Sequence, residues 1–141
     1  MKPPGAGTAS SGPLEAVNPG SLAKPSGYSH GMLGAGRLLF VAGQIGWDSE
    51  GRMVSRDFVE QFGQALDNVL AVVEAAGGSP ASLARLTVYV TDKREYLGRL
   101  ADVGAAYRGR MGRHFPAMAL VEVKSLLQDE AMVEIEATAL L

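Results

Sequence analysis

The chain has 141 residues, 47% of them hydrophobic, with a formal charge of −2 and no cysteine. That length supports one domain with its own core and no staple, and the missing cysteines exclude disulfides, thiolate catalysis and cysteine-based zinc sites. Scattered Lys and Arg at near-neutral net charge argue against a nucleic-acid partner; with no apolar run near the roughly 20 residues of a membrane span and no leader-like N-terminus, the expectation is a cytoplasmic protein that does not engage a membrane.

Five of the seven prolines fall in the first 27 residues, among many Gly, Ser and Ala. Such a stretch has too few apolar side chains to offset the entropy of ordering it, so residues 1–16 are expected as a tail and residues 17–141 as the single domain. A short strand is expected around Tyr28. The glycine-bounded apolar run Arg37-Leu38-Leu39-Phe40-Val41-Ala42-Gly43-Gln44-Ile45 predicts a buried strand.

Asp57 with Glu60 three residues on is a capping-box-like start, and Phe62, Leu66, Val69, Val73 and Ala76 then recur at helical spacing until Gly77-Gly78. These predict an amphipathic helix. Leu86, Val88 and Val90 alternate with Thr87, Tyr89 and Thr91 as a strand would. A second helix is expected from Asp92, with Tyr96, Leu100, Val103 and Tyr107 as its buried stripe, running to the Gly109–Gly112 region. Ala117 to Lys124 and Ala131 to Leu141 complete the chain as two strands around a Gln128-Asp129-Glu130 turn. The class is α+β, with a mixed sheet packed on two helices.

Strand alternation places Val121 and Val123 with Val133 and Ile135 on the helix-covered face, and Met118, Leu120, Glu122, Glu134 and Glu136 on the other. A mixed face that the chain's own helices leave open calls for cover by another subunit. Several motifs are set aside. Gly31, Gly34 and Gly36 precede a strand, whereas a dinucleotide loop follows one and opens a helix. Neither a nucleophile elbow nor a phosphate-binding Gly-Lys-Ser/Thr loop occurs. His30 and His114 alone make no metal site.

Gly27-Tyr28, Phe40-Val41-Ala42-Gly43-Gln44-Ile45, Gln64-Ala65-Leu66-Asp67-Asn68-Val69, Glu74-Ala75-Ala76-Gly77, Val88-Tyr89-Val90-Thr91-Asp92, Phe115-Pro116-Ala117, Val121-Glu122-Val123 and Glu134-Ile135-Glu136-Ala137, in this order and spacing, resemble the Rid family of reactive intermediate deaminases, also called the YjgF family. The resemblance covers about Tyr28 to Leu141. It implies a chorismate-mutase-like fold assembled as a homotrimeric barrel with clefts between subunits. It further implies hydrolysis of small imines and enamines to 2-keto acids and ammonia, with water as nucleophile and neither metal nor cofactor. Members have also been described as ribonucleases, translation inhibitors and chaperone-like proteins; this acidic chain shows no basic stripe for the nucleic-acid roles.

Carried over by position, the resemblance implies substrate binding by Tyr28, Gly43 and Gln44, a catalytic Glu136, and the backbone carbonyl of Leu120 as a positioner of water. The family's carboxylate-gripping arginine falls on Met118. Removing one partner of such a charge-assisted pair costs on the order of 2–5 kcal/mol, so the usual 2-imino acids are expected to be handled badly. The alternative is a non-catalytic trimer that binds a small ligand or a protein. Met118 then either shapes a pocket for a less charged substrate or simply fills space. Glu136 is either a proton carrier in the cleft or a paired structural carboxylate, and Gln44 either binds a ligand or fastens a turn. Arg110 and Arg113 are candidates for a displaced anion contact, against the ordinary role of cations at a helix end. His114 is a titratable candidate near the cleft strand.

Overall fold

The computed structural model describes residues 14–141. Two strands, β1 (Leu14–Val17) and β2 (Gly31–Gly34), pair antiparallel from Leu14 opposite Gly34 to Val17 opposite Gly31. The expected tail therefore lies outside the described residues except for Leu14, Glu15 and Ala16, which belong to β1. The short strand expected at Tyr28 begins instead at Gly31. Ser29 makes only an isolated parallel bridge to Ala117, where its hydroxyl donates to the Phe115 carbonyl at 2.5 Å.

Four longer strands form the main sheet: β3 (Leu38–Ile45), β4 (Leu83–Val90), β5 (Ala117–Glu122) and β6 (Val133–Leu140), in the order β3-β6-β4-β5. β4 and β5 run parallel while the other pairs are antiparallel, so the sheet is mixed. β3 is bulged: its partners pass from Val41 opposite Ala137 to Gln44 opposite Ile135. Three steps on one strand against two on the other leave one extra residue at Ala42-Gly43, opposite Glu136.

The helix α1 (Phe58–Ala75) starts where the sequence places it, with the Asp57 carboxylate accepting from the Glu60 amide at 3.1 Å. Its stripe of Phe62, Ala65, Leu66, Val69 and Val73 is buried against the sheet. Beyond its cap at Ala76 the chain turns at Gly77, whose φ of 92° suits a residue without a Cβ. A fully buried Gln61 on this helix has no orphan atoms. Its Nε2 donates to the Ser55 and Glu130 carbonyls at 2.9 and 3.0 Å, and its Oε1 accepts from the Met132 amide at 2.8 Å.

The expected second helix is two helices, α2 (Lys93–Leu97) and α3 (Leu100–Met111). Gly98 closes α2 by donating to the Arg94 carbonyl at 2.8 Å. Arg99 then leaves helical geometry (φ −134°, ψ 37°), and its guanidinium bonds both Asp57 and Asp102. A turn-by-turn apolar stripe cannot register such a break, because the stripe resumes after it.

Register corrects the faces. Met118 lies opposite Leu86 and Leu120 opposite Val88, and both β4 residues are buried beneath the helices. Met118 and Leu120 therefore point to the helix side, where they pack against the core. Thr87 and Tyr89 face the other way, opposite Glu136 and Glu134 of β6 and Ala119 and Val121 of β5. Met and Leu at alternate positions of an edge strand fill the margin of the core, while its Val sits outside. The uncovered face is real but differently composed: besides Glu134, Glu136 and Tyr89 it presents Phe40, 74% exposed, and Leu38, 61% exposed.

Candidate functional site

Met118 and Leu120 open onto a groove of about 490 Å³ between β5 and α3. Its walls are Phe62, Val88, Tyr96, Leu97, Leu100, Val103, Tyr107 and Phe115, with Ser26 and Gly27 at one end and Gly104 and Arg108 along α3. The break at Gly98-Arg99 matters here, because it leaves Leu97 and Leu100 55% and 51% exposed beside the groove. Tyr107 and Phe115 stack at 5.6 Å in its floor. The Tyr107 hydroxyl donates to the His114 carbonyl at 2.6 Å, and burial raises its pKa.

Gly43 and Gln44 lie across the sheet, on β3. The Glu134 carboxylate packs on Gly43, where a Cβ would collide with Oε1 and stand 2.9 Å from Cδ. The Gln44 amide donates to the Ala42 carbonyl at 3.2 Å, spanning the bulge. Glu136 is exposed on the uncovered face, where its Oε1 accepts from the Tyr89 hydroxyl at 2.7 Å. That hydrogen bond, followed by partial desolvation, raises the Tyr89 pKa. Tyr28 sits edge-on to His30 at 5.4 Å between ring centres, rather than in the groove.

The expected site residues thus fall into separate groups within one chain. Met118 and Leu120 are on the helix side of one edge strand, whereas Glu136 is on the opposite face, which corrects the shared face expected from alternation. Gly43, Gln44 and Glu134 belong to the far side of the sheet. β3 and β5 are three strand spacings apart, about 14 Å, so these groups do not meet within one chain.

The arginines also sort. Arg110 is tied to Asp67 at 2.7 and 3.2 Å and to the Ala106 carbonyl at 2.9 Å, so it is committed to a surface ion pair. Arg113 lines a different hollow with Ser29, Met32, His114 and Phe115. The ring of His114 is anchored there, its Nε2 at 2.7 Å from the Leu83 carbonyl. The cation that does line the Met118 groove is Arg108, which the apolar stripe passes over. The spacing of Gly104 and Arg108, one helical turn apart, is the signal that would have found it. Glu134, which alternation groups with Glu136, is set against Gly43 beside the bulge of β3. Among the described residues, no group of three or more His, Asp or Glu could hold a metal ion, and no helix is long and apolar enough to cross a membrane.

A mixed four-stranded sheet with helices on one face, bulged at one edge and grooved at the other, defines the α+β class seen in a set of solved Rid-family structures. A Rid family protein of unknown function from Yersinia pestis matches with a TM-score of 0.82 and 32% identity, over 92% of this chain and 99% of that one. The YjgF gene product of Escherichia coli matches at 0.63 and 37%, over 80% and 87%. The chain belongs to the YjgF/RutC/Rid family: the family model described as Endoribonuclease L-PSP matches residues 20–141. It is 38% identical over 117 residues to a RutC family protein of Pyrococcus horikoshii, covering 82% of this chain and 89% of the relative. It is 37% identical over 107 residues to the 2-iminobutanoate/2-iminopropanoate deaminase of Escherichia coli, covering 74% and 80%.

Proposed function

We propose that this protein is a hydrolase of small imines or enamines, with a substrate more apolar than the 2-imino acids named for its relatives. The apolar wall that Met118 and Leu120 give the groove carries this reading, and the deaminase relatives support the reaction class. Water adds to the carbon of the C=N bond, the nitrogen takes up a proton, and the C–N bond breaks to leave a carbonyl compound and ammonia. An edge strand supports the placement of water. Apart from the isolated Ser29 bridge at Ala117, β5 pairs only with β4, leaving main-chain groups along the rest of its free edge, and the Leu120 carbonyl is the one proposed to orient the nucleophile.

The reading requires a homotrimer, because the carboxylate side of the sheet must reach the groove from a neighbouring copy. The exposed Phe40 and Leu38 support such an assembly. Of the two β6 carboxylates proposed to move protons, Glu134 is better placed than Glu136, since it packs at the Gly43-Gln44 edge while Glu136 is held by Tyr89. Gly43, Gln44 and Tyr28 complete the proposed rim.

The test is a coupled imine-hydrolysis assay that generates 2-aminoacrylate and bulkier analogues in place, comparing wild type with Met118→Arg. Turnover of the bulkier analogues by wild type, with Met118→Arg shifting preference to 2-aminoacrylate, supports the reading. If neither form turns over any of them, the protein is a binding module and the reading fails.

A further inference from the structure

We propose that Arg108 is the anion anchor of the Met118 groove, and that the groove takes a small organic acid with an extended apolar body. This assignment rests on reading that groove as the substrate cleft, and it names the class of substrate. Arg108 is the one charged residue lining it; no Asp or Glu does so among the described residues. Its neighbour on the same helix, Arg110, closes on Asp67, whereas the Arg108 guanidinium has neither an ion pair nor a hydrogen-bond partner among the described residues. A guanidinium beside apolar walls with no counter-charge is half of a charge-assisted pair.

The local geometry holds it there. Gly104 lies one turn before Arg108, and a Cβ at Gly104 would stand 3.0 Å from Nη1. The guanidinium therefore lies back along α3, over the bare glycine. Met118, Leu97, Leu100 and Tyr96 then offer an apolar surface next to the charge. The carboxylate would be held from α3 rather than from the β5 position of Met118, with the apolar body against Met118 and the two leucines.

The experiment measures binding of hexanoate, hexanamide and acetate by calorimetry to the full-length wild-type protein and to Arg108→Gln, which keeps an aliphatic stem at an exposed helical position. Wild type should bind hexanoate, and Arg108→Gln should bind it about tenfold or more weakly. Hexanamide should bind both forms alike. Each methylene between acetate and hexanoate should tighten binding by up to about fourfold. Equal hexanoate affinity in the two forms, or no hexanoate binding at all, overturns the proposal. So does dissociation of the assembly in Arg108→Gln by light scattering, which would make Arg108 an interface residue. Because the readout is binding, imine turnover with Arg108-independent hexanoate binding refutes this anchor and leaves the deaminase reading standing; the reverse result does the opposite.

Discussion

Arg99, at the break between α2 and α3, closes its guanidinium on Asp57, the residue that caps α1. One carboxylate thus serves a helix start and an inter-helix tie, and the arginine hydrogen bond, then the Glu60 amide, hold its pKa below the usual carboxylate value. A depressed folded-state pKa contributes stability above the unfolded value near 3.9, lost as pH falls through the folded one. Asp57→Ala should lose about 0.5–2 kcal/mol of stability at pH 7, and Asp57→Asn, which can still cap, should lose less. In urea titrations across pH 2–6, roughly the range that brackets ordinary carboxylate titration, both variants should show a shallower acid limb than wild type. An unchanged limb would mean that the pair does not persist in solution.

The buried Gln61 side chain ties the loop before α1 to the β5–β6 connection through three hydrogen bonds. Gln61→Leu fills the same space but strands an amide and two carbonyls, so the loss should exceed about 2 kcal/mol. The midpoint of chemical denaturation, at unchanged slope, reports it. A neutral result would require that water reaches all three groups.

The contrast between α1 and β5 shows what the sequence could disclose. α1 was readable because Phe62, Leu66, Val69 and Val73 leave one stripe and Asp57 marks its start. β4 was readable because its apolar and polar residues alternate cleanly. β5 offers no such contrast: Met118 and Leu120 on one face and Ala119 and Val121 on the other are all apolar. Only pairing with Leu86 and Val88 decides which face is inside. The bulge at Ala42-Gly43 is likewise invisible in composition, although it determines which carboxylate lies at Gly43. The helix break depends on Arg99 finding Asp57, a contact 42 residues apart. Met118 stands out as the departure from the family pattern, whereas Arg108 does not, because periodicity finds apolar stripes and is blind to a cation beside one.

Gly43 and Glu134 should behave as a coupled pair. Gly43→Ala places a methyl group against the Glu134 carboxylate, so it should destabilise the fold and lower any imine turnover through displacement of that group. In the double variant Gly43→Ala/Glu134→Ala the stability loss should be partly relieved, while turnover stays low. A double-mutant cycle on denaturation midpoints should give a coupling of about 0.5–3 kcal/mol. Additive losses would show that the strand accommodates the methyl group without touching Glu134.

Tyr89 and Glu136 give a prediction that reads the open face directly. With Glu136 accepting its hydrogen bond, Tyr89 should ionise at higher pH than a free tyrosine. The raised folded-state pKa makes this a stabilising contribution present below the unfolded value near 10 and lost as pH rises through the folded one. Labelled-tyrosine NMR over alkaline pH should show Tyr89 titrating late in wild type and earlier in Glu136→Gln. Glu136→Gln should also leave imine turnover closer to wild type than Glu134→Gln does, because Glu134 is the carboxylate at the Gly43 edge. If Glu136→Gln instead abolishes turnover and leaves Tyr89 unmoved, Glu136 has left Tyr89 in the assembled protein and is the proton carrier, and the ranking of the two carboxylates reverses.

Phe40 tests the proposed assembly, on which the proposed composite site depends. It stands on the uncovered face opposite Thr138, with the Leu38–Leu140 pair two residues along. Three large apolar side chains on one sheet face offer a partner several kcal/mol of burial, at about 1.5–3 kcal/mol for each residue fully covered. Phe40→Glu would place a charge in that surface and should convert the assembly to monomers in light scattering. Its thermal midpoint should become insensitive to protein concentration, whereas that of wild type should rise with it. Because the Met118 groove and the Gly43 edge of one chain are on opposite sides of the sheet, the same variant should lose imine turnover while its core stays folded by far-ultraviolet circular dichroism. A Phe40→Glu monomer that still hydrolysed imines would show that one chain holds the whole site, and would leave the carboxylates of β6 without a part in it.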